Sequence, residues 1–281
     1  MKNFLTPVEL AEHVVVWGQA KTTHTPARAL LLGCLAGAYI GFAAHLATVV
    51  GTGTVTWVGL QQFAVGTVFS LGLMLVIIPG SELWTGNTLM SAAFLERRVT
   101  LAQVLRNWVL VYLGNLLGAV ALAWMIAGQS GILDGAFGLK AVEIAVAKVE
   151  QNPGHNLAYF FRAVGCNWLV CLAVVQAMAA RDIAGKVLAV FFPIMAFVAS
   201  GFEHAIANMY FIPAGIFAAE LEGVRALCSM EARVLEQLNW ANMWEYNLLS
   251  VTLGNLVGGS LCVGACYWWI YRSRAATSES E

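Results

Sequence analysis

Charged side chains are scarce in this chain. Only 11% of its 281 residues are Asp, Glu, Lys or Arg, against about 25% in a soluble globular domain. With 59% hydrophobic residues and a mean hydropathy of +0.73, the composition excludes an ordinary water-soluble fold. A formal net charge of −1 leaves no basic field for nucleic acid. No G-x-x-x-x-G-K stretch is present, which excludes an ATP-driven pump built on a P-loop. The six cysteines form no C-x-x-C pair and read as structural thiols. Five of them (Cys34, Cys166, Cys171, Cys262 and Cys266) lie within apolar runs and Cys228 lies in a loop, so neither a metal site nor a cofactor is expected. The opening residues M-K-N-F-L-T-P-V-E-L lack the apolar core and cleavage site of a secretory signal. Residues 1–26 are expected to form an amphipathic cytoplasmic segment, with Phe4, Leu5, Val8, Leu10 and Val15 laid along a membrane surface.

What the chain has instead is long apolar runs. Each span needs roughly 20 apolar residues, and six fit. They lie near 27–50, 60–95 (broken), 105–128, 157–180, 186–219 (broken) and 248–271. The expected organisation is a six-span domain over 27–271 followed by a polar cytoplasmic tail at 272–281. Ten basic residues fall on one side of that arrangement: Lys2, Lys21, Arg28, Arg97, Arg98, Arg106, Arg181, Lys186, Arg272 and Arg274. Lys140, Lys148, Arg162, Arg225 and Arg233 fall on the other, among many acids. The bias places both termini in the cytoplasm.

Two of the runs are interrupted by nearly the same polar word. Residues 80–87 read G-S-E-L-W-T-G-N and residues 201–208 read G-F-E-H-A-I-A-N. Gly80 matches Gly201, Glu82 matches Glu203 and Asn87 matches Asn208, all at an offset of 121. Ionisable groups at membrane depth are costly and face a cavity, a partner or a polar path. Paired interruptions point to a solute site between inverted repeats. The repeat continues in L-G-N-L-L-G (113–118) and L-G-N-L-V-G (253–258). Their glycines also suit helix packing, and Asn115 and Asn255 equally suit interhelical hydrogen bonding. Restarting half-helices at the two breaks present unpaired N–H groups and a positive dipole end, which favour an anion. The fold class expected is therefore an all-α membrane protein, an inverted 3+3 repeat with broken second and fifth helices. A transport protein is expected, and not an enzyme.

These residues carry a resemblance to the formate/nitrite transporter family of bacterial pentameric channels. The most specific stretch is V-A-S-G-F-E-H-A-I-A-N-M-Y-F-I-P-A-G (198–215). Further matches are F-S-L-G-L (69–73), E-L-W-T-G-N (82–87), C-N-W-L-V-C-L-A-V (166–174) and T-L-G-N-L-V-G-G (252–259). The resemblance implies an aquaporin-like protomer, a pore in each protomer and a homopentamer in the bacterial inner membrane, in contact with lipid. Aquaporins themselves are excluded, because neither interruption contains N-P-A.

Position by position, the resemblance implies that His204 is the pore-centre histidine and Thr85 the loop threonine, with Asn167 and Asn208 lining the same region. Leu73 and Phe197 match apolar constrictions on one side, and Leu83 and Trp84 match the flexible loop and constriction. Trp84 stands where members more often carry phenylalanine. Lys148 falls on the lysine that draws anions to the pore. Gly80, Gly86 and Gly201 mark the breaks, with Gly80 and Gly86 as hinges.

Elementary chemistry points the same way. A small anion entering a low-dielectric constriction faces several kcal/mol more than its neutral acid does. A lysine that raises local potential, followed by a titratable imidazole, lowers that barrier. Glu203 projects to another helical face and reads as an anchor for backbone or loop. Formate or nitrite is the first solute expected, hydrosulfide the alternative. A membrane redox subunit is distant, since His45 and His204 lack the paired partners haem ligation needs.

Overall fold

The computed structural model describes residues 4–53 and 57–272. Lys2, Arg274 and the tail expected beyond Arg272 lie outside the described residues. Among the described residues every element is helical apart from one isolated bridge between Phe4 and Ala180.

The chain begins with α1 (Pro7–Lys21), α2 (Pro26–Val50), α3 (Val58–Phe69) and α4 (Leu71–Ile77). Past the first interruption come two short helices, α5 (Trp84–Asn87) and α6 (Met90–Leu95), and then α7 (Leu101–Ala123), which runs on through a π turn to Gln129. The second part comprises α8 (Ala136–Lys148), α9 (His155–Ala179), α10 (Ile183–Ala199) and α11 (Ala205–Ala218). Two short helices, α12 (Glu222–Leu227) and α13 (Ala232–Glu236), lead into a last rod. That rod is built from α14 (Trp240–Met243), α15 (Leu249–Gly259) and α16 (Cys266–Tyr271), joined by π turns. Among the described residues five stretches are long and apolar enough to cross a membrane: Pro26–Val50, Val58–Ile77, Leu101–Gln129, His155–Ala179 and Trp240–Tyr271. The shorter apolar helices α10 and α11 flank the second interruption.

Two boundaries differ from the hydropathy reading, each for a local reason. The third long helix starts at Leu101 rather than 105, because Thr100 and Gln103 form a reciprocal capping box. The last rod starts at Trp240 rather than 248, where the Asn239 side chain caps the Asn242 N–H at 2.9 Å. Its polar residues Glu245 and Asn247 resemble a loop, yet Asn247 is fully buried. The second break falls at Ser200–His204, while Pro193 sits inside a continuous α10.

Helix α1 does not lie with all its apolar residues free for a membrane. Phe4 and Val8 are exposed, but Ala11, Val14 and Val15 are buried in the common core. Gly18 permits this approach, since a Cβ there would stand 3.0 Å from the Ala93 Cβ on α6. Arg272 at the end of the last rod reaches Glu12 on α1 (2.9 Å) and Glu96 beyond α6 (2.6 Å). The two ends of the described chain therefore meet on one side of the molecule.

The glycines of the two L-G-N repeats prove to be packing positions. A methyl on Gly118 would overlap the Cys34 carbonyl oxygen of α2, and one on Gly258 the Val164 carbonyl oxygen of α9. Each pair of helices thus meets backbone to backbone. Gly118→Ala and Gly258→Ala are each expected to cost about 1–3 kcal/mol, read as a lower unfolding temperature in detergent. An unchanged temperature for both would mean that these crossings are loose. The outer faces carry exposed Leu31, Phe42, Leu113, Leu117, Phe161 and Leu253, as lipid-facing or subunit-facing helices do.

Candidate functional site

The polar groups of the two interruptions are bonded in matching sets. In the first, the Lys21 Nζ donates to Glu82 Oε1 at 2.6 Å, and Asn87 Nδ2 donates to Glu82 Oε2 at 2.7 Å and to Asn107 Oδ1 at 2.9 Å. Asn107 then donates to the Lys21 carbonyl at 3.3 Å. In the second, Lys148 Nζ donates to both Glu203 oxygens at 2.9 and 2.8 Å, and Asn208 Nδ2 to Glu203 Oε2 and Asn247 Oδ1, both at 2.7 Å. Asn247 closes the ring on the Lys148 carbonyl at 2.9 Å. Every member of one ring has a counterpart in the other. Buried charges are tolerated in this form because each carboxylate is paired and its remaining lone pairs are bonded.

The Glu203 carboxylate is therefore bonded to the side chains of Lys148 and Asn208 rather than to backbone or loop, and Lys148 is held in a buried ion pair. Its ammonium is held by Glu203 and also sits 5.5 Å from the Phe211 ring centroid.

The ends of the re-entrant helices are closed by asparagines. Asn115 Oδ1 accepts the Trp84 N–H, while its amide donates to Gly33 and Glu82 carbonyls. Asn255 does the same for the Ala205 N–H and the carbonyls of Ala163 and Glu203. The question left open for these two residues resolves to hydrogen-bond glue, and the leading N–H of each short helix is occupied instead of being free for an anion. Each asparagine joins three backbone segments, so losing one leaves buried groups unsatisfied at about 1–3 kcal/mol apiece.

Between the rings sits a buried pair, Thr85 Oγ1 and His204 Nε2, at 2.9 Å. His204 Nδ1 accepts the Ala207 N–H at 3.0 Å, which caps α11. An acceptor at Nδ1 assigns the ring proton to Nε2, so Nε2–H donates to the threonine. The threonine's own hydroxyl hydrogen is then left to point elsewhere. Phe197 stacks 6.0 Å from the imidazole.

Two cavities approach this pair: the first is lined by Leu83 and Gly86, near Thr85 in the chain, the second by His204, and Thr85 itself lines neither. The first, about 560 Å³, is lined by Lys21, Arg28 and Lys186 as cations, by His13 and His24, and by Glu82. Leu73, Leu83, Gly80 and Gly86 also face it. The other, about 330 Å³, is lined by Lys140, Lys148, Glu203, His204, Asn208, Gly201 and Phe197. Among the lining residues cations outnumber the single carboxylate in both, though in the second Lys140 is paired with Glu143 at 3.0 Å. Asn208 Oδ1, buried in the second, has no hydrogen-bond partner.

Several expected positions move. Leu73 and Phe197 lie in different cavities rather than on one side. Trp84 lines neither cavity: its ring packs edge-on against Tyr112 of α7, 5.3 Å between centroids. Asn167 is a clamp rather than a lining residue, its amide within reach of the Thr85 carbonyl (3.1 Å), Thr88 Oγ1 (3.1 Å) and the Asn255 carbonyl (2.7 Å). Gly80 and Gly201 have φ of 89° and 72°, values that favour glycine. Gly86 is helical with ordinary room for a methyl, so the geometry at this position does not itself require glycine. Lys21, His24, Asn107 and Asn247 belong to the site although the sequence reading did not place them there. The legible signal was that Asn107 and Asn247 each precede a repeated L-G-N asparagine by eight residues.

Comparison with known proteins agrees with this architecture. The family described as formate/nitrite transporter matches residues 8–269. The chain is 41% identical to a probable formate transporter of Methanothermobacter thermautotrophicus, covering 96% of this chain and 98% of that protein. It is 36% identical to the formate channel BtFdhC of Bacillus thuringiensis, over 96% and 97%. A solved pentameric formate channel with formate bound is 38% identical, with a TM-score of 0.77 over 88% of this chain and 97% of that one.

Proposed function

The chain belongs to the formate/nitrite transporter family, multi-pass transporters and channels rather than enzymes, and on that premise we propose that it passes small monovalent anions of weak acids, formate first. The observation that carries this reading is the buried Thr85–His204 pair approached by two cavities whose lining cations exceed their carboxylates. The proposed assembly is a homopentamer with a pore in each protomer, as in the pentameric relative. Each protomer is read as six spans in an inverted 3+3 repeat, supported by the matching rings around Glu82 and Glu203. Both termini are assigned to the cytoplasmic side of an inner membrane, a reading supported by the basic bias and by the meeting of Arg272 with Glu12.

Passage follows from the charges. An anion is drawn into the Lys21-side cavity by its excess of cations, meets the lysine–glutamate pair on the other side, and loses water at the constriction formed by Leu73 and Leu83 on one side and Phe197 on the other. There the Thr85 hydroxyl, oriented by the Nε2–H of His204, donates a hydrogen bond to it. The imidazole in the observed arrangement is neutral, so it supplies polarity but no net proton. Donating a proton requires His204 to take one up first, exchanging its Nδ1 contact with Ala207. Passage as the neutral acid then proceeds with the Nε2 proton of His204 passed to Thr85 Oγ1 as the Thr85 hydroxyl proton passes to the anion, which leaves a neutral imidazole protonated at Nδ1. That proton must leave and Nε2 be reprotonated before the Ala207 contact re-forms.

Proteoliposome flux of formate, nitrite and hydrosulfide, side by side at two pH values, tests the reading. Formate passing fastest, and faster in acid, supports it; hydrosulfide passing much faster replaces formate by the alternative solute. Because Trp84 packs on Tyr112, Trp84→Phe is expected to leave the order of the three anions unchanged and to lower stability by about 0.5–1.5 kcal/mol. A reordered preference would return Trp84 to the pore.

A further inference from the structure

The two rings match member for member, but their surroundings do not. On the Lys148 side the neighbouring histidine, His155, faces the Lys148 carbonyl at 3.3 Å and stacks on Tyr159 at 4.0 Å, so it is spent on backbone and ring contacts. On the Lys21 side, His24 Nε2 lies 3.4 Å from Glu82 Oε1, the same oxygen that takes the Lys21 ammonium. His24 occupies the turn between α1 and α2, and its carbonyl accepts from Arg106 of α7 at 3.4 Å, which holds the turn in place. Its side chain keeps 18% exposure at the cavity wall, open to protons from that side. The charged and titratable groups around it are Lys21 and His13 on α1, Arg28 on α2, Glu82 at the break, Lys186 on α10 and Arg106 on α7.

We infer that His24 is a positioning residue that sets the charge of the Lys21-side mouth by competing with Lys21 for Glu82. The inference rests on the anion-channel reading above. With His24 neutral, Glu82 is balanced by Lys21 alone. A proton on His24 places one carboxylate between two cations, frees the ammonium of Lys21 to turn toward the cavity and adds one positive charge there. The added charge joins Arg28 and Lys186 in the wall of the same cavity and attracts an anion there. Proton and anion therefore favour each other's binding at this mouth, reciprocally. Entry from this side rises with acidity on this side, independently of His204.

The test uses the full-length channel in liposomes with formate as the probe, the two sides buffered separately, and protein-free liposomes subtracted. Lowering the pH on the Lys21 side from about 7.5 to about 5.5 spans imidazole titration. It should raise parent entry from that side by on the order of tenfold, the scale on which a charge at a mouth alters capture. His24→Asn should lose this increment and keep the response to pH on the opposite side. His24→Arg, permanently charged, should pass formate at the raised rate already at about pH 7.5 with a flat profile on that side. A His24→Asn channel that keeps the parent's same-side profile overturns the inference. If that variant does not assemble, an Arg variant whose entry still climbs as the parent's does overturns it too. A parent that passes none of formate, nitrite and hydrosulfide refutes the anion-channel reading instead.

Discussion

Replacing His204 with Asn should abolish the acceleration of formate uptake on acidification while leaving the channel assembled. Asn retains an oxygen to accept the Ala207 N–H, so the cap that starts α11 survives. It cannot take up a proton, so the step that makes the neutral acid is lost. Positioned proton donors contribute about a hundredfold or more, and the deficit at acidic pH should be of that order. His204→Phe removes the cap as well and should lower thermal stability by a further 1 kcal/mol or so. The measurement is initial uptake rate against external pH for the parent and both variants. An Asn variant with the parent's pH profile would show that the proton reaches the solute by another route, and His204 would then act only as the cap and the support of Thr85.

The second large effect is expected at the Lys148–Glu203 pair. Lys148→Met leaves the Glu203 carboxylate buried with only Asn208 and no cation. Stranding one partner of a buried pair costs about 3–5 kcal/mol, enough to lower the unfolding temperature sharply and to reduce flux. Since the pair is bidentate and largely shielded, the flux loss should be similar at low and high ionic strength. A loss confined to low salt would identify Lys148 as a long-range attractor instead. Adding Glu203→Gln to Lys148→Met removes the stranded charge and should recover most of the stability. A double variant no more stable than the single would mean that the ring, not the charge balance, carries the cost.

These effects divide along what could and could not be read from residues alone. Glu82, Glu203, Asn87 and Asn208 announced themselves, because polar groups at fixed spacing inside apolar runs are costly and so are noticed. The family stretches at 198–215 and 82–87 gave His204 and its partner Thr85. Lys21 was hidden because it ends an amphipathic helix, where a lysine is ordinary. Asn107 and Asn247 were hidden inside long helices, one of which was expected to begin after Asn247. The direction of Trp84 was not legible either. A four-residue helix gives no periodicity to say which face turns inward, and only the packing of Tyr112 decides it. The partner of Lys148 depended on a contact 55 residues away, which no local pattern encodes.

Asn167 has no mirror image. The carbonyls of Gly33 and Ala163 play the same part for Asn115 and Asn255. Four residues further along each helix stand Gly37, where any methyl would overlap Asn115, and Asn167, which reaches the Asn255 carbonyl with its amide. At this level α2 and α7 meet backbone on backbone, whereas on α9 an amide with two hydrogens faces three acceptors, so the Thr85 carbonyl always competes for its bond. The backbone of the residue that touches His204 is thus held by an exchangeable hydrogen bond that has no counterpart in the other half.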